Sequence, residues 1–500
     1  MTNHSKINVL FMASEADPLI KVGGLGDIAG SLPRALRMVG PCSNLLTAEL
    51  DVRLVIPFHP AIRRDLYPSK MVAEYIVHSI DNEIHVKAYA IELDGLPVYL
   101  IGGAPIEQES GVYTSNLEAD GFKYVFFSQA ALSLARSLDW RPDILHANDW
   151  HTSPAVYSLA LNRPTDPFFR QTASLLTVHN LPYLGAMTST ALEAFDLPPA
   201  ENTSLPAWAG HMALPLGLLT ADAIVAVSPG YAKEIMTDEF GSGLEIFLKA
   251  HSKKITGILN GLDTTKWNPA TDISIAINFS HDNLQARSAN KTFLQKELGF
   301  ESNPQIPLLA MVTRMDPQKG VDLAVDSLRI LFHSTTMNTR PLQAVFLGTG
   351  DPILEQAVHR LESAYPDLVR AQITYNENLS RHIYAGADML LMPSRYEPCG
   401  LSQMIAMHYG CIPIARATGG LSDTIQDSTN TDQNTGFLFK PATPEALAGT
   451  IQRALMVYKK DPQIWQAIQI RAMQLDFSWN RSALEYIKQY KILLERRTEL

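Results

Sequence analysis

"INVLFMASEADPLIKVGGLGDIAG" (residues 7–30) decides how the first half of this chain folds. "INVLFMA" reads as a buried strand, and the segment from Gly24 opens a helix. Gly24, Gly26 and Ala29 spell G-x-G-x-x-A, a dinucleotide fingerprint. Its context is wrong. Dinucleotide folds place the glycines in the turn directly after the first strand. Here nine residues, "SEADPLIKV", stand between the strand and Gly23. The acidic residue expected after the second strand is missing, because "VRLVIP" runs into Phe58 and His59. No Gly-Lys-Ser/Thr follows, so the stretch is not a P-loop either. What remains is a Gly23-Gly24 turn at a helix start, with Lys21 before it. Glycines admit close backbone approach and helix-start N–H groups favour an anion. A plain turn with a solvated lysine is the competing reading.

Working outward, short apolar runs alternate with helical patterns. "VRLVIP", "DILHA", "ASLLTV" and "AIVAVS" continue the first half; "PLLAMV", "LQAVFLG", "AQITY", "DMLLMP" and "CIPIA" fill the second. Runs without polar alternation imply parallel strands covered on both faces, joined by right-handed crossovers. Each half reads as a doubly wound α/β domain. Turn residues cluster in "ILNGLDTTKWNPATD" from Ile258, the best boundary. "FSWNRSALEYIKQYKILLERR" reads as a terminal helix with Leu484, Ile487, Tyr490 and Ile492 as its apolar positions. A chain of 500 residues is too long for one core.

Composition narrows the class. Hydrophobic residues make up 46% and charged residues 18%, as in an ordinary globular enzyme. Lys+Arg is 41 against Asp+Glu 51, a net charge of -10, which argues against nucleic acid or an anionic membrane as partner. Cys42, Cys399 and Cys411 form no C-x-x-C pair, so neither a zinc site nor a disulfide framework is expected. The usage fits a reducing cytosol. No signal peptide or membrane-spanning run is expected.

Several strand ends carry chemistry. In "VTRMDPQKG", Arg314 and Lys319 follow a strand where open α/β sheets bind ligands; Arg grips phosphate bidentately and Lys acts as a compact charge. A solvated surface loop is the plainer alternative. In "SRYEPCGLSQMIAMHYG", Glu397 follows a core strand at a tight turn; capping the next helix is its plain role. "ATGGLSDTI" repeats the strand, Gly-Gly, helix device with Gly419-Gly420, which suggests a ligand shared by the halves. "HANDWHT" and "TVHNLPY" place Asp149, His151, His179 and Asn180 after strands. Their spacing matches no standard metal motif, and hydrogen bonds to sugar hydroxyls suit them better.

Together "KVGGLGD", "HANDW", "TVHN", "GILNGLD", "TRMDPQKG", "YAGADMLLMPSRYEPCGL" and "ATGGLSDT" resemble the bacterial glycogen synthase and plant starch synthase family, in order and along essentially the whole chain. The resemblance implies a glycosyltransferase-B fold: two Rossmann-like domains facing a cleft, with a C-terminal helix crossing back. It implies residues 1–255 as an acceptor-side domain, 256–476 as a nucleotide-sugar domain and 477–500 as that helix. The implied reaction is transfer of glucose from ADP-glucose to the non-reducing end of an α-1,4-glucan, with retention and with neither metal nor cofactor. Lys21, Gly23 and Gly24 would then meet the donor. Arg314 and Lys319 would hold its diphosphate, and Thr418, Gly419, Gly420 and Leu421 would offer backbone N–H groups. Glu397 and His179 would bind the glucosyl unit, Asp149 would lie near the reaction centre or acceptor, and Tyr375 would stack on adenine. Asn180, Asn260, Gly350, Cys399, Gly400 and Leu401 complete the implied substrate contacts.

The chain departs from the family's pattern in three places. "MVGPCSNLLTAELDVRLVIP" is longer than usual, "HMALPLGLLTADAI" carries Pro215 in place of a lysine-glycine pattern, and "LSRHIYAG" has Arg381 then His382. UDP-glucose as donor, a pyridoxal-dependent phosphorylase and a non-catalytic glucan-binding relative are the alternatives.

Overall fold

A computed structural model describes residues 6–39, 48–333, 342–428 and 433–498. The extended segment and Cys42 at residues 40–47 lie outside the described residues. Two units divide the chain: Met1–Gly261 with Trp479–Leu500, and Leu262–Ser478.

The first unit holds β1 (Lys6–Met12), β2 (Glu49–Pro57), β3 (Lys70–His78), β4 (Glu83–Leu93), β5 (Leu96–Gly102), β6 (Ile144–Asn148), β7 (Ala173–Val178), β8 (Ala223–Ala226) and β9 (Ile255–Gly257). They form one sheet in the order β3-β4-β5-β2-β1-β6-β7-β8-β9. From β5 to β9 every pairing is parallel. The sheet is not wholly parallel as the apolar runs suggested: β4 runs antiparallel to β3 and to β5. β3 buries only Val77, and in β4 exposed positions interrupt the buried ones, so neither is an unbroken apolar run. Asp94 (φ 49°) and Gly95 (φ 79°) make the two-residue β4–β5 turn, where both centres need the left-handed region that Asp-Gly supplies.

The helix Gly24–Val39 covers the sheet with Leu25, Ile28, Ala29, Leu32 and Leu36, an i, i+3, i+4 pattern. The helix Trp479–Thr498 packs in the same core, but through Ala483, Tyr486, Ile487, Tyr490 and Leu493. The expected phase is corrected at two positions: Leu484 is only half-buried and Ile492 is exposed. Pro215 stands in the first turn of the helix Ala213–Thr220, where its missing N–H breaks no intrahelical bond.

Tyr490 is fully buried, and its hydroxyl bonds His146 Nδ1 at 2.7 Å, while His146 Nε2 bonds Thr177 Oγ1 at 2.8 Å. Burial keeps His146 neutral. Tyr490→Phe leaves His146 Nδ1 unpaired inside the core. It is expected to cost about 1–3 kcal/mol, read as a lowered Tm by calorimetry.

The second unit holds β10 (Leu308–Val312), β11 (Gln343–Leu347), β12 (Val369–Gln372), β13 (Met389–Met392), β14 (Ile412–Arg416) and β15 (Phe437–Phe439), all parallel, in the order β12-β11-β10-β13-β14-β15. Among the parallel strands both sheets reverse their order at one point, between β1 and β6 and between β10 and β13. The carboxyl ends of strands at such a switch point are where open α/β sheets bind ligands. No described helix is long and apolar enough to cross a membrane.

Candidate functional site

In the second unit the switch point is lined by the loops after β10 and β13. Asp316 accepts the N–H of Lys319 at 3.2 Å and starts a short 3-10 turn that ends at Gly320. Lys319 Nζ then reaches Glu397 at 2.7 and 3.0 Å. Glu397 is buried and also accepts from the Ser394 hydroxyl at 3.0 Å. Its plain alternative, capping the helix Ser402–His408, is not what it does: that helix has Leu401 at its N-cap and no side-chain cap bond. A small cavity of roughly 40 Å³ is bounded by Thr313, Lys319, Ser394, Glu397, Gly400 and Leu401. Arg314 is exposed, with Asp316 3.4 Å from its guanidinium. The two cations of one loop thus differ: Lys319 is held, and Arg314 is presented.

Gly419 and Gly420 open the helix Gly419–Thr424 after β14. A Cβ on Gly420 would stand 2.2 Å from the Cys399 carbonyl oxygen, so only glycine lets the two loops meet. Gly420 N–H already donates to the Glu397 carbonyl at 3.1 Å, Leu421 N–H to Thr418 O at 3.0 Å, and Gly350 N–H to Glu355 at 2.7 Å. These three backbone donors, implied as substrate contacts, are therefore occupied within the unit. Cys399 is buried, and Gly400 takes φ 76°. Tyr375 is 79% exposed and borders an open pocket of about 650 Å³ with Lys266, Asp272, Ile273, Asn376 and Arg381. Arg381 is committed inside the unit, to Asp272 at 2.9 Å and Glu377 at 3.0 Å, and His382 to Glu297 at 2.9 Å.

In the first unit the loops after β1, β6 and β7 meet. Asp149 begins the helix Asp149–Asn162 with φ 56° and is buried. Its carboxylate accepts the His179 N–H at 2.7 Å and a backbone hydrogen bond from Asn180. Burial pushes its pKa up to about 7, and the Glu15 carboxylate pushes the same way. His179 Nε2 lies 2.9 Å from Asn148 Oδ1, and Asn148 Nδ2 donates to Met12 O at 2.8 Å. That chain makes Nε2 the donor and leaves Nδ1 as an acceptor. Burial holds the ring neutral, with a pKa of about 3. Among the described residues His179 Nδ1, Asn180 Oδ1 and Asn260 Oδ1 are buried without a hydrogen-bond partner. Three buried acceptors suit a ligand rich in O–H donors.

Lys21 is exposed and pairs with Asp27 at 2.7 Å. The Gly23 N–H group, expected to face an anionic ligand, already has an anion. The Glu15 carboxylate takes it at 3.2 Å, together with the Val22 N–H. Glu15 and Tyr113, whose hydroxyl bonds Glu15 at 3.3 Å and Ser14 at 3.0 Å, escaped the sequence reading. Gly24 has open space where a Cβ would stand.

Comparison with known proteins agrees with this architecture. Residues 8–250 match the family described as starch synthase catalytic domain, and residues 291–468 the one described as glycosyl transferases group 1. A glycogen synthase of Thermotoga petrophila is 38% identical over 98% of this chain and 99% of its own. One of Moorella thermoacetica is 36% identical over 98% of each. The catalytic domain of starch synthase IV from Arabidopsis thaliana, solved bound to ADP and acarbose, superposes with a TM-score of 0.85 at 32% identity, over 98% of this chain and all of that one. The two α/β units are of the glycosyltransferase-B class, and the chain belongs to the glycogen synthase and starch synthase family of glucosyltransferases.

Proposed function

We propose that this chain elongates an α-1,4-glucan, moving glucose from ADP-glucose to the non-reducing end with retention of configuration. The observation that carries it is the ion pair of half-buried Lys319 with buried Glu397 at the β10/β13 switch point, 2.7 Å apart with Arg314 exposed on the same loop. Bond breaking leaves charge on the ADP diphosphate. Lys319 and Arg314 supply fixed positive charge for it, an interaction that strengthens as the bond lengthens. Glu397, held by Lys319 and Ser394, accepts hydrogen bonds from glucosyl hydroxyls. His179 Nδ1, Asn180 Oδ1 and Asn260 Oδ1 accept from sugar hydroxyls in the first unit. Asp149 stands beside the acceptor, Tyr375 stacks on adenine, and Lys21 contributes a further charge. Retention without an evident nucleophile motif favours attack from the leaving-group face within an ion pair. The chemistry calls for no cofactor beyond the donor.

Incubation with labelled ADP-glucose or UDP-glucose and glycogen tests this. Label is expected in precipitable glucan with ADP-glucose, as α-anomeric linkages by NMR, and much less with UDP-glucose. Faster incorporation from UDP-glucose would reject the donor assignment. Release of free glucose with no glucan label would reject the transfer.

A further inference from the structure

We propose that Glu15 is a positioning residue, whose carboxylate fills the Val22–Gly23 turn with the protein's own anion and so fixes Lys21 for the donor. This rests on Lys21 serving the donor as proposed above.

Glu15 is 1% exposed, just past the end of β1. Its donors among the described residues are the N–H groups of Val22 and Gly23 and the Tyr113 hydroxyl. A buried carboxylate is costly unless donors surround it. Here they come mainly from one turn, and successive N–H groups of this kind form a concave nest for an anion. With a carboxylate seated there, those two N–H groups are no longer available to a phosphate. The turn is held rigid instead, and its exposed contribution is the lysine beside it.

The surrounding space supports the same assignment. A Cβ on Gly26 would meet Lys21 Cγ at 3.0 Å and Glu15 Oε2 at 3.4 Å. The stem of Lys21 therefore runs over Gly26 next to the Glu15 carboxylate, and a larger residue would push it aside. Its ammonium is held by Asp27 in the first turn of the following helix. Tyr113, the third donor, is itself anchored. Lys123 Nζ, fully buried, bonds Val112 O at 2.8 Å and Asp120 at 2.7 Å, and Asp120 accepts the Thr114 N–H at 2.8 Å. A buried ion pair thus fixes the loop on both sides of Tyr113.

The test is a double-mutant cycle of Glu15→Gln and Lys21→Ala, read as kcat/KM for ADP-glucose. The amide keeps one acceptor oxygen and turns an NH₂ group toward a backbone donor. In the wild-type background Glu15→Gln is expected to lower kcat/KM by about 10- to 100-fold, the range of a lost charged hydrogen bond. In the Lys21→Ala background it should cost no more than about 3-fold, because the group it positions is gone. An equal loss in both backgrounds, or no loss in either, overturns the proposal. If Glu15→Gln does not fold, Glu15→Asp runs the same cycle with the charge kept and its reach shortened. Amide exchange is independent of activity. Val22 and Gly23 should exchange slowly in wild type and fast in Glu15→Gln, and unchanged exchange also overturns the proposal. Wild-type protein that ignores ADP-glucose would instead sink the functional reading, and the exchange result would still decide whether Glu15 locks the turn.

Discussion

Lys319→Ala is expected to lower kcat/KM for ADP-glucose by about 10²–10³-fold, the usual cost of removing one donor aimed at developing charge. The same substitution strands Glu397. That carboxylate is 5% exposed and loses its cation, keeping, among the described residues, the Ser394 hydroxyl as its side-chain donor. An uncompensated charge in such a place destabilises more than removal of the whole pair. Two readouts therefore separate. Adding Glu397→Ala to Lys319→Ala should restore part of the lost Tm while leaving activity as low or lower. Steady-state kinetics and calorimetry on the two single variants and the double variant check this. Lys319→Ala with activity within about 3-fold of wild type would remove Lys319 from the donor site. Arg314, exposed and not buried against a carboxylate, should behave differently: Arg314→Ala should lose rate with little change in Tm.

What was legible in the chain follows burial. β6, β7, β8, β11 and β13 are buried at every position, and each falls in a mainly apolar run without strict polar alternation. β3 is exposed or half-buried at every position but Val77, β4 alternates exposed with buried positions, and both were missed, although Asp94-Gly95 between β4 and β5 is a strong hairpin signal. The terminal helix was recognised with its face slightly rotated. Its seam includes Ala483 and Tyr486, which weigh less in a hydropathy pattern than Leu484 and Ile492 beside them. Strand ends pointed to Arg314, Lys319 and Glu397 separately, and the structure brings the last two into contact. Glu15 could not be read this way. Its partners are backbone N–H groups seven and eight residues on and a tyrosine 98 residues away, and none of these leaves a spacing pattern. Occupied backbone donors such as Gly350 N–H are equally invisible, because a glycine motif does not say which acceptor its amide meets.

Asp149→Asn is expected to make the first unit more stable at alkaline pH while disabling the reaction. The carboxyl has a folded pKa of about 7, against an ordinary value near 3.8. Between those values the folded state keeps a proton that the unfolded chain has released. Stability from this group is thus complete below about pH 4 and is lost as pH rises through about 7, by an amount on the order of 4 kcal/mol. Asparagine removes that titration. It keeps an oxygen for the His179 N–H, and it tolerates the left-handed backbone at φ 56° better than alanine would. The Tm of the variant should therefore exceed that of wild type at pH 8, with the gap closing toward pH 4. A gap of the same size at every pH would show that Asp149 does not titrate near neutrality. Activity supplies the second measurement. If the ionised carboxylate serves the acceptor, wild-type kcat rises through pH 7, and the asparagine variant loses that limb along with most of its rate. A stabilising substitution that removes activity is what a strained, desolvated functional carboxylate produces, since the fold bears the cost of holding it where the substrate needs it.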